Sequence, residues 1–288
     1  MVAGGTHPAS TAPFLEIRVR DLAIDPTLRA LCVGYETGTW RLDQFSQHII
    51  RWLPDFALNY SEREAIGADD CVQMVGKAAV SIYTSDKYQK RGEFGEILLH
   101  IALRQDCGSA PAISKIYFKS ACNDTVKGFD AVHVVGAPGD LELWLGEVKF
   151  YEDIAAAIRD VVAELKIHTT NDYLRSEFMW IGNKLDVGDP HAAEVKHLLN
   201  SNTSLDKIFK RLCIPVLLTY DSPCIAAHTA ADSNYIKAFE AEVREHYAAF
   251  VSKAPAMDIR IHLMLLPLLA KKALVAALDG RLKACQNL

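Results

Sequence analysis

The sequence predicts an α/β protein, a mixed β-sheet flanked by helices, preceded by an N-terminal accessory region. Three observations carry that expectation. In the middle of the chain a helix, three strands and a second helix follow one another through short connections. In the C-terminal third, helical and strand-like stretches alternate, the pattern of helices layered on a sheet. Finally, a chain of 288 residues that is 50% hydrophobic can bury roughly 70–75% of its unfolded surface without a disulfide or metal staple.

Taken in order, residues 1–13 are rich in Gly, Thr, Ser, Ala and Pro and read as a loose leader. Phe14 to Arg20 alternates apolar and polar residues, the pattern of a half-buried strand, and a second strand is expected over Leu28 to Tyr35. Leu42, Phe45, Ile49, Ile50 and Leu53 recur at helical spacing, with Pro54 ending that helix. Asp69-Asp70 reads as the N-terminal cap of a helix reaching about Tyr83. These elements form the accessory region, residues 1–85, and residues 86–288 form the main domain.

The main domain opens on a helix over Gly92 to Gln105, with Phe94, Ile97, Leu98, Ile101 and Ala102 as its buried face. Strands are expected at Ile113 to Lys119, Gly128 to Val135 and Leu141 to Lys149. Asn123-Asp124 makes a polar turn, and Gly136-Ala-Pro-Gly-Asp140 a hairpin turn between the last two strands. Ile154 to Ile167 is an amphipathic helix. Beyond it come helices near 189–200 and 204–211, a strand at Ile214 to Tyr220, a helix over about 233–252, a strand at Asp258 to Met264 and a last helix from Pro267. The apolar stretch Leu263 to Leu278 suits either core packing or a docking surface.

Composition removes several classes. A net charge of −5, from 31 Lys and Arg against 36 Asp and Glu, excludes a wholly basic DNA-coating surface and leaves room for a local basic groove. None of the seven cysteines sits at C-x-x-C spacing, so neither a zinc knuckle nor a redox pair is expected. The start Met1-Val-Ala-Gly-Gly-Thr-His-Pro lacks the pattern of a signal peptide. The most apolar run, Ile261 to Ala270, is interrupted by His262 and Pro267 and falls short of the ~18–20 residues that span a bilayer. A cytoplasmic protein with no membrane partner is expected. His191 and His197 lack the spacing of helical zinc ligands, and no phosphate-binding loop, nucleophile elbow or dinucleotide fingerprint is present.

The chemistry centres on Glu147-Val-Lys149. Side chains two apart on a strand share a face about 7 Å apart, so Glu147 and Lys149 project together while Val148 packs behind. Both are charged at the end of an apolar strand (Leu143, Trp144, Leu145, Val148), where they are costly unless paired or solvated in a cleft. Asp130 opens the preceding strand, and the hairpin brings it beside Glu147. Two converging carboxylates suit a hard divalent cation such as Mg2+. Lys149 can then orient or polarise an attacking water. The competing reading is a solvated Glu/Lys pair at a strand edge.

A helix carrying acids, then Gly128-Phe-Asp130 at a strand start, then Glu147-x-Lys149 at the end of an apolar strand resembles the PD-(D/E)xK nuclease superfamily over about residues 91–169. Phe129 stands where that pattern has proline, a residue that supplies no ligand. The wording of Arg91-Gly-Glu-Phe-Gly-Glu-Ile-Leu-Leu-His100, Lys127-Gly-Phe-Asp-Ala-Val-His133 and Leu145-Gly-Glu-Val-Lys-Phe-Tyr151 is similar to the nuclease subunits of the Hachiman anti-phage defence system. The resemblance implies a restriction-endonuclease-like core and a Mg2+- or Mn2+-dependent deoxyribonuclease. It assigns Glu96, Asp130 and Glu147 to the metal and Lys149 to catalysis beside them. It further implies a superfamily 2 helicase partner that restrains the nuclease until aberrant DNA is sensed. Glu96 matches the helix acid better than Glu93, with Gly95 letting the helix approach the sheet. Around these residues Lys87, Lys90, Arg91, Lys115, Lys119 and Lys127 suggest a phosphate track, and Lys127, Lys119 and Arg91 are the expected DNA contacts. Tyr151 and His168 read as a packed aromatic and a surface histidine. Two rivals remain at this point: a non-catalytic adaptor that docks a helicase onto nucleic acid, and a nuclease acting on RNA.

Overall fold

The longest apolar runs of the C-terminal half form the centre of a sheet. β7 (Glu142–Phe150), β8 (Leu212–Asp221) and β9 (Arg260–Leu268) are buried along almost their whole length, as parallel strands covered on both faces must be. They pair parallel, with Lys149 opposite Leu218 and Leu217 opposite Met264. The protein is represented by a computed structural model that describes residues 13–83, 92–113 and 128–288. Beyond β7 come β6 (Ala131–Val135) and β5 (Ala110–Ile113), both antiparallel. Beyond β9 come β2 (Thr27–Cys32), parallel to it, and β1 (Glu16–Asp21), antiparallel to β2. The result is a mixed α/β fold, a seven-stranded sheet in the order β1-β2-β9-β8-β7-β6-β5 with helices on both faces.

Two strands of the expected accessory region, 1–85, thus belong to the same sheet as the main domain, with Leu28 to Ala30 paired to Leu263 to Leu265. After a small hairpin of β3 (Tyr35–Glu36) and β4 (Thr39–Trp40), the chain enters α1 (Leu42–Arg51), α2 (Leu53–Ala57), α3 (Tyr60–Glu64) and α4 (Cys71–Ile82). α5 (Glu93–Asp106) covers β6 and β7, in company with α1 and α2. α6 (Ile154–His168) covers β7 and β8, with α7 (Asn171–Lys184) packed on it. The short helices α8 (Ala192–Leu198), α9 (Leu205–Phe209) and α10 (Pro223–Ala227) flank β8, α11 (Ser233–Val251) contacts α6 and β1, and α12 (Lys271–Gln286) packs on α1 and α4.

Several expectations shift for identifiable reasons. Pro54 does not stop helical structure; it occupies the first turn of α2, where a missing N–H costs nothing. Asp70 precedes α4 but is itself helical, at φ −95° and ψ −11°, and its carboxylate makes no cap hydrogen bond. The strand expected to end at Met264 runs on to Leu268, and the last helix starts at Lys271 rather than Pro267. Pro267 is tolerated there because β2 pairs with β9 only as far as Leu265 and so asks no N–H of it. The apolar stretch from Leu263 is core: Leu274 and Leu278 of α12 are fully buried. β5 meets the strand expected at 113–119 only at Ile113; residues 114–119, the turn at 123–124 and the leader through residue 12 lie outside the described residues. Among the described residues, no helix is long and apolar enough to cross a membrane.

Candidate active site

Two glycines set the distance between α5 and β7. A Cβ on Gly95 would stand 2.7 Å from the Cβ of Phe150 and 3.3 Å from Cγ2 of Val148. A Cβ on Gly146 would meet Cδ2 of Leu99 at 2.7 Å and the Cβ of Ala131 at 3.1 Å. Val148 and Phe150 therefore face α5, so by strand alternation Glu147 and Lys149 face α6.

Asp130 sits one residue before β6 and is stitched to β7. Its N–H donates to Gly146 O at 2.8 Å, and its Oδ2 accepts the N–H of Val148, also at 2.8 Å. The antiparallel register, Ala131 opposite Gly146, brings it to the end of β7 as the hairpin spacing predicts. There a cleft of about 290 Å3 opens, lined by Gly92, Glu96, Asp130, Lys149, Tyr151 and Lys271 together with Val148 and Phe150. Glu96, in the first turn of α5, lines this cleft; Glu93, equally buried, does not.

On the other face of β7, two side-chain pairs join the strand to α6. His168 Nδ1 bonds Oε1 of Glu147, and Lys149 Nζ donates to Oε2 of Glu164. Burial pushes the His168 pKa down, with nearby acids opposing, and its Nδ1 bonds a carboxylate that is 1% exposed. Burial by itself would lower the Lys149 pKa, but the hydrogen bond and charge of Glu164, with Asp130 and Glu147, more than compensate and hold it above the usual lysine value. Lys149 is thus a fixed cation. His168 is a half-buried partner of the site, not a surface histidine.

Glu96, Asp130 and Lys149 come together at one cleft, and Glu147 lies behind them with His168. Lys127, Lys119 and Arg91, together with Lys87, Lys90 and Lys115, fall outside the described residues. Sequence reasoning misses Glu164 and Lys271 and takes His168 for a surface residue. Glu164 and His168 had a signal: four apart on one helix face, they match Glu147 and Lys149 two apart on a strand. Lys271 had none, because only the fold brings the start of α12 to this cleft. A third feature ties down the elements that carry the acids. His133 Nε2 lies 3.2 Å from His100 Nδ1, His133 Nδ1 2.8 Å from Ser109 Oγ, and His100 Nε2 2.9 Å from Asp55 Oδ2. Arg104 Nε donates to that same Asp55 oxygen at 2.8 Å. This chain locks α5 to β6 one helical turn past Glu96 and three residues past Asp130.

Among the described residues, no three His, Cys, Asp or Glu side chains are grouped closely enough to cage a metal ion. The donors at the cleft nevertheless suit one kind of cation. Mg2+ keeps most of its waters and is commonly held by one or two carboxylates plus substrate phosphate, and Glu96 and Asp130 offer such a pair.

A family model described as HamA matches residues 11–282. No curated protein matches the chain. The match takes in β1 through most of α12, including Glu96, Asp130, Glu147 and Lys149, and so the chain belongs to the HamA family of the Hachiman anti-phage defence system.

Proposed function

We propose that the chain is a metal-dependent deoxyribonuclease with a restriction-endonuclease-like core, acting in the cytoplasm as the effector of a helicase–nuclease complex. The observation that carries this reading is the convergence of Glu96, Asp130 and Lys149 on one cleft at the end of the β6–β7 hairpin, with Glu147 immediately behind. Glu96 and Asp130 would hold a Mg2+ or Mn2+ ion, and Glu147, the third acid the resemblance names, would act from behind them. The ion would supply charge neutralisation at a phosphodiester, worth several kcal/mol in a transition state.

The remaining chemistry falls to the protein. A general base must give up its proton near working pH. Lys149, with its pKa raised by Glu164, does not, so it serves as a hydrogen-bond donor that orients water or phosphate oxygen. Tyr151 borders the cleft with its hydroxyl donating to Asp160 Oδ2 at 3.1 Å, which leaves it a wall rather than a proton donor. The helicase partner, supported by the family alone, would deliver DNA to a site whose protein carries a net charge of −5 and attracts DNA poorly at long range.

Plasmid nicking tests the reading, with and without the helicase. Glu147→Gln and Lys149→Ala should each reduce cleavage by at least about a hundredfold, the order expected when a catalytic group is lost, with far-UV circular dichroism unchanged. Mg2+ or Mn2+ should support turnover, Ca2+ should not, and EDTA should abolish it. Nicking at the wild-type rate by both variants would remove these residues from the chemistry.

A further inference from the structure

One cation at the cleft has no part in the chemistry above. Lys271 is the first residue of α12 and lines the cleft with Glu96, Asp130 and Lys149. The other described cations nearby are spent. Lys149 is bonded to Glu164, and Lys272, 86% exposed, lies 3.5 Å from Glu152. Lys271 makes no ion pair among the described residues. Its Nζ stands 5.0 Å from the centre of the Phe150 ring, and a ring face holds a cation in place without neutralising it. Its backbone N–H is taken by Asp221 Oδ1 at 2.7 Å, which anchors this end of α12 beside the cleft. Burial pushes the ammonium's pKa down, with Glu152 and Asp221 opposing from a distance. A charge held partly out of water and bonded to no anion is poised to take one.

We infer that Lys271 is the phosphate clamp of this cleft, its ammonium taking a non-bridging oxygen of a nucleic-acid phosphodiester seated there. The inference rests on the nuclease reading of the same cleft. A phosphodiester entering against Glu96 and Asp130 is repelled by both, and Lys149 is already committed to Glu164. Among the described residues Lys271 supplies the uncommitted positive charge, and the ring of Phe150, next in sequence to Lys149, fixes where that charge stands.

The test is binding of a short fluorescein-labelled DNA duplex to the full chain, read by anisotropy in Ca2+ over a range of salt. Lys271→Met keeps the apolar stem on Phe150 and removes only the charge. It should weaken binding about tenfold and lower the slope of log K against log salt by about one, the signature of a single lost phosphate contact. Lys271→Arg should stay within about twofold of wild type, and so should Lys272→Ala, whose lysine is at the exposed rim. Wild-type affinity and slope in Lys271→Met overturn the clamp. A duplex bound through Lys271 in Ca2+ but left uncut in Mg2+ even with the helicase present sinks the nuclease reading and keeps the clamp. Equal cutting by wild type and Lys271→Met keeps the nuclease and sinks the clamp, and a wild-type chain that binds no duplex sinks both.

Discussion

Glu147 is nearly sealed from water at 1% exposure, and a carboxylate in that position depends on the groups bonded to it. His168 is one of them. Its removal takes a hydrogen bond from a buried anion, a change that costs roughly 1–3 kcal/mol. His168→Ala should therefore lower the unfolding free energy by about that much in urea titrations. Combined with Glu147→Gln, the loss should be smaller than the sum, with a coupling above ~0.5 kcal/mol, since contacting residues are not additive. Strictly additive losses would mean that the pair does not form. The same geometry explains why the Glu147/Lys149 pattern is legible in one dimension and its partners are not: the strand period is local, whereas Glu164 and His168 reach it only across the α6–β7 interface.

At the scale of elements, the site depends on how closely α5 lies on β7. An alanine inside a helix is worth about 1 kcal/mol over glycine by propensity, whereas overpacking a fitted contact costs typically ~1–3 kcal/mol. At Gly95 the new methyl would stand 2.7 Å from the Cβ of Phe150, an atom rooted on a central strand and unable to swing away. Gly95→Ala should thus be destabilising and should also depress cleavage, because Glu96 is carried outward with the helix. Gly280 in α12 has nothing within 4 Å of an added Cβ, and Gly280→Ala should stabilise by about 1 kcal/mol through propensity alone. Chemical denaturation of the two variants side by side checks the pair; a stabilised Gly95→Ala would contradict the close approach. Helix α7 shows the opposite limit on sequence reading. Leu174, Phe178 and Ile181 are its buried apolar residues, too few among polar neighbours to stand out before α6 supplies the surface they cover.

For the molecule as a whole, buried and half-buried histidines set the response to acid. His48 and His262 have pKa values lowered to about 4, by burial first and then by nearby arginines. His100 and His133 are lowered by burial too. The hydrogen bonds agree: Trp52 Nε1 donates to His48 Nε2 at 3.2 Å, and His262 Nδ1 faces the Arg29 guanidinium at 3.3 Å, both nitrogens serving as acceptors. In the unfolded chain these rings take up protons near their ordinary value of 6.5. Stability should then be full above that pH and fall progressively between 6.5 and about 4, where only the unfolded state binds the protons. Thermal melts across this range should show a steadily falling Tm, shallower in a His48→Gln/His262→Gln double variant. A Tm that is flat or rises toward acid would refute it.

What the sequence determined by itself is whatever depends on neighbours along the chain. The apolar run from Leu141 to Lys149, the glycines at 136 and 139, and the helical period of α5 and α6 place the β6–β7 hairpin between its helices. They also set Glu147 and Lys149 on one side of a strand, with Asp130 opposite. Where Pro54 or Pro267 leaves the chain free to continue, local signals mislead, because whether a missing N–H matters depends on which strand or helix turn would have asked for it. Only the tertiary structure decided that β1 and β2 complete the same sheet as β9. It alone turned Glu147 toward His168 and left Glu96 and Asp130 facing the cleft. It also delivered Lys271 from the last helix. Each of those results is a contact between segments far apart in sequence, set by parallel pairing and by the way helices cover a sheet, neither of which leaves a local trace.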